Sequence, residues 1–444
     1  VYKRQVNPTL QELNPYYINY QYSNMDERWR AFGYYTIKID FTPWLYATGK
    51  YSFDYYDTSI EEQNRTNGID DQSKESYKSM EQRYYEHNIE GMILGHNTFA
   101  ERFRLGYSLG GNIMYQRTSG LTGYSENMAK EGIWYHNSAL GKNTAEQTFT
   151  ERETRSVFGT LQFAWDEWIA LDLTARNDWS STLPKKNCSY FYPSANLSWV
   201  FSDMMRRYDM GLPSWITFGK LRLSAAQVGK DTDPYVLYNY LTYTQGVNGP
   251  EISYPKIKAN PDLKPESMWS YELAWAQHLL DNSLTYGINL FYIDGKNLIV
   301  TLPNPNATGM LNQNTGKIEN CGVEGEVAYR IDPHWSVEAN YSYLHMENPV
   351  VGAPEHKLYA GAQYTHKRWT VSTGVQYIDN LYTTVGDNPQ TEEFVLWNLN
   401  ASFRVNRWLD VWARGENLLA QRYEINAGYP MPRATVMAGV NLNF

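Results

Sequence analysis

Side chains along this chain change character at nearly every second position, and that period constrains the fold more than any other feature. From Ile169, the residues Ile169, Leu171, Leu173 and Ala175 lie on one side of an extended backbone, and Asp172, Thr174, Arg176 and Asp178 on the other. The split recurs at Val337, Ala339, Tyr341 and Tyr343 against Ser336, Glu338, Asn340 and Ser342, and at Val395, Trp397, Leu399, Ala401 and Phe403 against Asn398, Asn400, Ser402 and Arg404. A helix repeats its apolar positions every three to four residues; a period of two belongs to a strand whose faces meet different surroundings. The best helical stretch is short, near Ser202 to Arg207. No segment reaches the roughly 18 apolar residues of a membrane-spanning helix. Two classes remain: a water-soluble β protein, and a membrane barrel whose alternation hides its hydrophobicity from window averages.

The connections separate these two. Short turns fall at Pro43-Trp44, Asp166-Glu167, Asp332-Pro333-His334, His366-Lys367 and Asn406-Arg407. Long polar loops lie between them, at Ser59 to Met80, Thr118 to Thr150, Lys230 to Glu266, Leu302 to Thr315 and Asp379 to Glu392. The segments between number about seventeen, each of roughly ten residues, enough to cross a bilayer when tilted. Trp44, Trp168, Trp335, Trp369 and Trp408 stand beside the short turns, where an interfacial aromatic girdle belongs. A sandwich or propeller would not alternate its turn lengths so regularly, and no blade-length repeat is visible. Composition agrees: 38 Tyr and 15 Trp are more than a soluble enzyme needs. The expectation is all-β: a transmembrane antiparallel up-and-down β-barrel with short periplasmic turns and long extracellular loops.

Two termini and several long stretches add detail. Val1-Tyr2-Lys3-Arg4-Gln5 resembles a translated adapter scar and is set aside from fold reasoning, leaving residues 6–444 as the barrel domain. At the other end, Val436, Ala438, Val440, Leu442 and Phe444 alternate with Thr435, Met437, Gly439, Asn441 and Asn443. Gly439, Leu442 and the terminal Phe444 resemble the insertion signal of outer-membrane barrels, with Met437 a departure from it. Leu171-Asp172-Leu173-Thr174-Ala175-Arg176-Asn177-Asp178-Trp179-Ser180-Ser181-Thr182-Leu183-Pro184, then Ser189 to Ser194, Phe218 to Ser224 and Val228-Gly229-Lys230-Asp231-Thr232-Asp233-Pro234-Tyr235, resemble the SusC/RagA-type TonB-dependent transporters. Asn260-Pro261-Asp262-Leu263-Lys264-Pro265-Glu266, Glu416-Asn417-Leu418-Leu419-Ala420-Gln421-Arg422-Tyr423-Glu424 and Gly428 to Arg433 are similar to the wider TonB-dependent receptor family. After about Trp269 the strands look more like compact cobalamin- or siderophore-type receptors, so a natural hybrid or an assembly join is a further expectation.

The resemblance implies a barrel of about 22 strands around an N-terminal plug. Neither the plug nor a TonB-contacting segment is present, so the expectation is a partial barrel lacking roughly five N-terminal strands. It implies an active importer in the outer membrane of a Gram-negative bacterium, energised by TonB through the missing plug, for oligosaccharides or other small nutrients captured with a SusD-like surface lipoprotein. The alternatives are a cobalamin, siderophore or haem receptor and a passive porin-type channel.

Charge and chemistry narrow the partners. Lys+Arg 39 against Asp+Glu 48, a net charge of −9 with no basic run, gives no footprint for nucleic acid. Two distant cysteines, Cys188 and Cys321, exclude a disulfide framework, and no HExxH or Cys-x-x-Cys occurs among the scattered histidines. No catalytic, cofactor or metal residue is therefore assigned, and the chain is not read as an enzyme. Asp70-Asp71 and Asp231-x-Asp233 lack the Gly and closing Glu of a calcium loop and read as solvated loop charge. Asp172, Arg176, Asp178, Arg404, Arg414 and Glu416 fall on the polar, lumen-facing rows, where water alone accounts for them and contact with solute or plug is the functional alternative. Trp134, Tyr135, Tyr238, Tyr240 and Tyr243 are loop aromatics able to stack on sugar rings, although packing between loops is the expected role.

Overall fold

The computed structural model describes residues 6–7, 12–13, 19–65, 75–130, 132–246, 249–304 and 309–442. Among the described residues, seventeen strands of eight residues or more make up the wall. The first half of the ring is β1 (Tyr22–Thr42), β2 (Leu45–Asn64), β3 (Ser76–Phe99), β4 (Phe103–Glu126), β5 (Asn143–Trp165), β6 (Ile169–Ser180), β7 (Ser189–Trp199) and β8 (Ile216–Lys230). The second half is β9 (Glu266–Leu279), β10 (Leu284–Pro303), β11 (Met310–Arg330), β12 (Trp335–Met346), β13 (Pro354–His366), β14 (Trp369–Thr384), β15 (Gln390–Arg404), β16 (Leu409–Glu416) and β17 (Thr435–Leu442). Each is antiparallel to the next, and the strands form a barrel whose ring order sets β17 beside β1. A two-residue strand, Ile257–Lys258, runs parallel to the start of β11.

The strands are longer than the alternation suggests. β1 to β5 span 20 to 24 residues, whereas β6 and β7 span 12 and 11. One side of the barrel therefore rises as a tall wall on the long-loop rim. The segments 59–64, 76–80, 118–126 and 143–150, expected as loop, are strand there. Both faces of that extension meet polar surroundings, so no apolar row marks it.

The short turns fall together on one rim, with one exception. Between β7 and β8 lies a 3.6-period element, α1 (Phe201–Arg207), at the expected place. Phe201 lies over Gly219 and leaves no room there for a Cβ. Its ring packs 4.8 Å from that of Trp275 and 5.9 Å from that of Trp199. Gly219 pairs with Gln277, on the face shared with Leu221 and Trp275, so α1 lies against the convex side. Trp44, Trp335, Trp369 and Trp408 are exposed beside their turns as a girdle requires. Trp168 differs: it meets Tyr208, just past α1, edge-on at 6.2 Å, because α1 covers that part of the rim.

Packing is concentrated at the opposite rim. Ile378, Leu381 and Phe394 form a small buried cluster with Leu396 and Tyr423. Phe394 and Tyr423 approach to 4.2 Å between ring centres. Burial, followed by the nearby Glu416 carboxylate, raises the Tyr423 hydroxyl above its ordinary pKa.

Candidate functional site

Residues paired across antiparallel strands share a face, so the ladder registers carry one face around the ring. Gln162 opposes Asp172, Asp172 opposes Asn196, Asn196 opposes Ser224, and Ser224 opposes Glu272. On the far side Gln363 opposes Ser372, Ser372 opposes Asn400, and Asn400 opposes Arg414. The polar rows thus join into one lining. That it is concave follows from Arg176 of β6, whose guanidinium reaches Asn112 of β4 at 3.4 Å across the intervening β5. The apolar rows point outward, with Leu161, Leu223, Ile288 and Val440 exposed.

All six expected lining residues sit on this face, but they form two groups rather than one site. In β6, Arg176 donates to Asp178 at 2.7 Å and to Ser156 Oγ at 2.7 Å, and it lies 5.2 Å over the Phe158 ring. Asp178 also accepts from the Tyr192 hydroxyl. Asp172 accepts a long bond from Asn196 at 3.4 Å. In the second group, Arg414 pairs with Glu416 at 2.5 Å and Arg404 with Asp410 at 3.6 Å. Between the groups, a polar groove of about 530 Å³ is lined by Lys220, Arg222, Asn289, Glu324 and Glu326.

The stretches that carry the family resemblance meet in space. Asp231 is 5% exposed, not a solvated loop charge. It accepts from Arg152 at 2.7 Å, from Thr182 Oγ1 at 3.1 Å, and from Ser180 Oγ. The hydroxyl of Tyr235, four residues on, accepts from the Glu151 backbone N–H at 3.1 Å. Together these contacts latch the long loop after β8 onto β5 and β6. Leu263 is fully buried; Asn187 donates to its carbonyl at 2.8 Å, and Lys186 pairs with Asp262. Asn417 forms a second hub, donating to the carbonyls of Gln421 and Pro432 at 2.9 and 3.1 Å and accepting from the Gln421 N–H at 2.9 Å. A short-range sequence pattern carries no hint that Asp231 would find Arg152, because 79 positions separate them.

The loop aromatics divide between two places. Trp134 and Tyr135 precede His136, whose ring nitrogens bond to Ser79 Oγ and Ser125 Oγ at 2.7 Å each on the convex side of the tall wall. Tyr238, Tyr240 and Tyr243 are largely exposed, with Tyr238 and Tyr240 only tilted towards each other at 6.2 Å. Tyr240 also meets the ring of Tyr235 edge-on at 6.2 Å. Of the insertion signal, Gly439 lies on the concave face beneath the Trp412 ring and Leu442 points outward and exposed. Phe444, like Asp70 and Asp71, lies outside the described residues. Among the described residues no three His, Cys, Asp or Glu side chains group as metal ligands.

The family model "TonB dependent receptor-like, beta-barrel" matches residues 2–418, on both sides of Trp269. TonB-dependent receptor P3 of Formosa agariphila is 27% identical over 262 residues, covering 56% of this chain and 26% of that protein. The ferric-pyoverdine M114 receptor PbuA of Pseudomonas sp. strain M114 is 27% identical over 225 residues, covering 45% and 27%. The chain thus spans about a quarter of the length of these relatives. In structure, the RagAB peptide importer superposes on 97% of this chain and 64% of its own at TM-score 0.76 and 15% identity. The ferric-catecholate import receptor Fiu of E. coli K12 superposes on 95% and 65% at TM-score 0.63 and 15% identity. The strands, their order and the family match agree: the chain belongs to the TonB-dependent receptor-like β-barrel family, a family of outer-membrane receptors and transporters.

Proposed function

We propose that this chain is the barrel part of an outer-membrane importer energised by TonB, which takes up oligosaccharides or other small nutrients captured with a SusD-like surface lipoprotein. The observation that carries the reading is the superposition on the RagAB importer, which extends over the whole ring and is closer than that on Fiu. The polar lining supports it, since a barrel that passes hydrated solutes needs a wet interior. The lining residues Asp172, Arg176, Asp178, Arg404, Arg414 and Glu416 then face the solute path or a lumen-filling plug domain. The matched family is one of receptors and transporters, so the reading is transport rather than catalysis.

The second reading is a siderophore-type receptor, favoured by the likeness to PbuA and Fiu. Uptake of labelled oligosaccharides and of ferric siderophores, in cells with and without TonB, separates the two. TonB-dependent oligosaccharide uptake is the expected result. TonB-dependent siderophore uptake alone would replace the first reading with the second, and solute flux indifferent to TonB would remove both.

A further inference from the structure

Three neighbouring turns of the short-turn rim gather cations without anionic partners. They join β11 to β12, β13 to β14 and β15 to β16, at residues 331–334, 367–368 and 405–408. Hydrogen bonds stitch the turns together. The Thr365 N–H donates to the His334 carbonyl at 2.8 Å, the Arg404 N–H to the Arg368 carbonyl at 2.9 Å, and the Arg368 guanidinium to the Val405 carbonyl at 3.0 Å. Lys367, Arg368 and Arg407 stand exposed on these turns. The turns hold one carboxylate, Asp332, and it is occupied by the backbone N–H groups of His334 and Trp335. Among the described residues no ion pair forms to any of the three cations. Across the ring the cations are paired, Arg102 with Asp166 at 3.8 Å and Arg104 with Glu167 at 3.2 Å. The three turns therefore form an arc of positive charge that the protein leaves unneutralised.

The arc borders an aromatic belt on the convex face. Tyr364 follows the lumen-facing Gln363, and Phe403 precedes the lumen-facing Arg404, so both rings point outward. Trp335 opposes Tyr364 with ring centres 4.8 Å apart, and Trp369 opposes Phe403 at 4.6 Å. β12 to β15 are laddered on both edges, and Trp335 and Trp369 are still 45% and 52% exposed. Indole rings at a barrel rim sit at the depth of the lipid headgroups. Arg407 lies 4.4 Å from the centre of the Trp408 ring, a contact that brings it no anion.

We infer that this arc is a docking patch for the phosphate group of an anionic phospholipid in the leaflet on the short-turn side. A phosphodiester offers charged acceptor oxygens to guanidinium and ammonium donors. Its acyl chains continue along the apolar convex rows, beside the Trp335 and Trp369 rings. Basic side chains at a membrane surface attract anionic lipid, and each cation adds to the attraction. An acidic protein segment would satisfy the cations but leave the exposed indoles in water, so the belt selects lipid. The inference uses the outer-membrane place of the family and does not depend on which solute the barrel passes.

The test uses the full-length protein containing this barrel, purified in a neutral detergent and dosed with dioleoyl phosphatidylglycerol or dioleoyl phosphatidylcholine. Retained lipid is counted by native mass spectrometry. We expect phosphatidylglycerol to be retained about tenfold or more over phosphatidylcholine, and the preference to shrink in about 1 M salt. Lys367→Gln combined with Arg407→Gln should remove most of the preference. The melting temperature in phosphatidylcholine should not change, because neither side chain holds a partner in the wall and Arg368 keeps its bond to Val405. Lys367→Arg with Arg407→Lys should retain the preference. Arg102→Gln with Arg104→Gln changes net charge equally at the far rim and should also leave it intact. Equal retention of the two lipids by the parent, a preference that survives in the first double variant, or equal loss in the far-rim variant would each overturn the patch. So would displacement of the lipid by glycerophosphate or by hexaglutamate at equal concentration, which would assign the cations to a free phosphate or to an acidic peptide segment.

Discussion

Replacing Asp231 by Ala should release the long loop after β8. The carboxylate is buried and takes three side-chain bonds, from Arg152, Ser180 and Thr182. Breaking one side of a buried ion pair costs about 3–5 kcal/mol. The Arg152 side chain is 32% exposed, so water screens it and recovers part of its solvation once the partner is gone. A hydrogen bond to a charged group contributes about 1.5–3 kcal/mol. We therefore expect about 2–3 kcal/mol, which appears as easier opening of residues 231–265 rather than as loss of the whole barrel. At about 1.4 kcal/mol per decade, that is roughly 30- to 150-fold more open loop. Limited proteolysis follows the open population while reclosing outruns cleavage, so the cleavage rate within 231–265 should rise by that factor. Asp233→Ala is the control, because Asp233 is exposed and lies two positions away. If both variants are cut at the parental rate, or at the same raised rate, the latch does not hold the loop.

The other expectations follow from faces, rims and turns. Leu171→Arg puts a charge on the outward face and should cost about 2–4 kcal/mol if that position lies near the bilayer midplane, whereas Thr174→Arg enters the wet lumen, losing only the bond to Ser194, and should be far milder in refolding titrations. With Cys188 and Cys321 replaced, a cysteine at Asn388 on the long-loop rim should react with an impermeant reagent on intact cells and one at Asn406 on the short-turn rim should not; the reverse pattern would invert the barrel. Asp332 accepts the backbone N–H groups of His334 and Trp335 at 2.7 and 2.8 Å, which lowers its pKa. Its contribution is present above the ordinary carboxylate value of about 4 and fades as pH falls through its own lower value, so the melting difference between the parent and Asp332→Asn should shrink on acidification below that point; a constant difference would mean that the turn bonds do not favour the charged form.

What the sequence reveals depends on which surroundings each face meets. Leu171 and Leu173 face outward while Asp172 and Thr174 line the lumen, and that contrast writes itself into the residue order. Residues 118–126 and 143–150 have no such contrast, because both faces of the tall wall are polar, and their strand character was hidden by Thr, Gly and Glu. Asp172, Arg176 and Arg414 fall on the concave face, since a strict period leaves them nowhere else to point. Their partners were not legible: Arg152 finds Asp231 only through the return of a loop, and long-range closure leaves no local pattern. Phe32 and Tyr34 show a related limit: they oppose Asp54 and Ser52 at positions where the period demands polar residues, among Arg28, Arg30 and Thr36, and such an inversion reads as noise until the register shows which way they face.

The junction between β17 and β1 gives the last prediction. Every successive pair of strands is joined by a residue-by-residue ladder; the ring order sets β17 beside β1, yet among the described residues no such ladder runs between those two. Exposure agrees: consecutive residues of β1, Tyr34 and Tyr35, are exposed on both faces, as are the consecutive residues Val436 and Met437 of β17. Seventeen is an odd number, so β1 and β17 run in the same direction and could pair directly only as a parallel ladder. An all-antiparallel ring needs an odd number of further strands between them, and the roughly five implied by the family resemblance satisfy that. In an antiparallel pair alternate amides point to the neighbour and the rest point away. About half the N–H groups of β1 therefore face the seam, and each costs several kcal/mol if left unsatisfied in hydrocarbon. For this chain expressed alone in detergent, hydrogen exchange should alternate along Tyr22–Thr42, protected where the amide meets β2 and fast where it faces the seam, while β3 and β4 are protected throughout. The same chain should insert poorly into membranes and support no TonB-dependent uptake, and the protein extended by the strands that fill the seam should regain both. Continuous protection along β1, or TonB-dependent import by the 444 residues alone, would show that the ring closes on itself and that the seam requires no further strands.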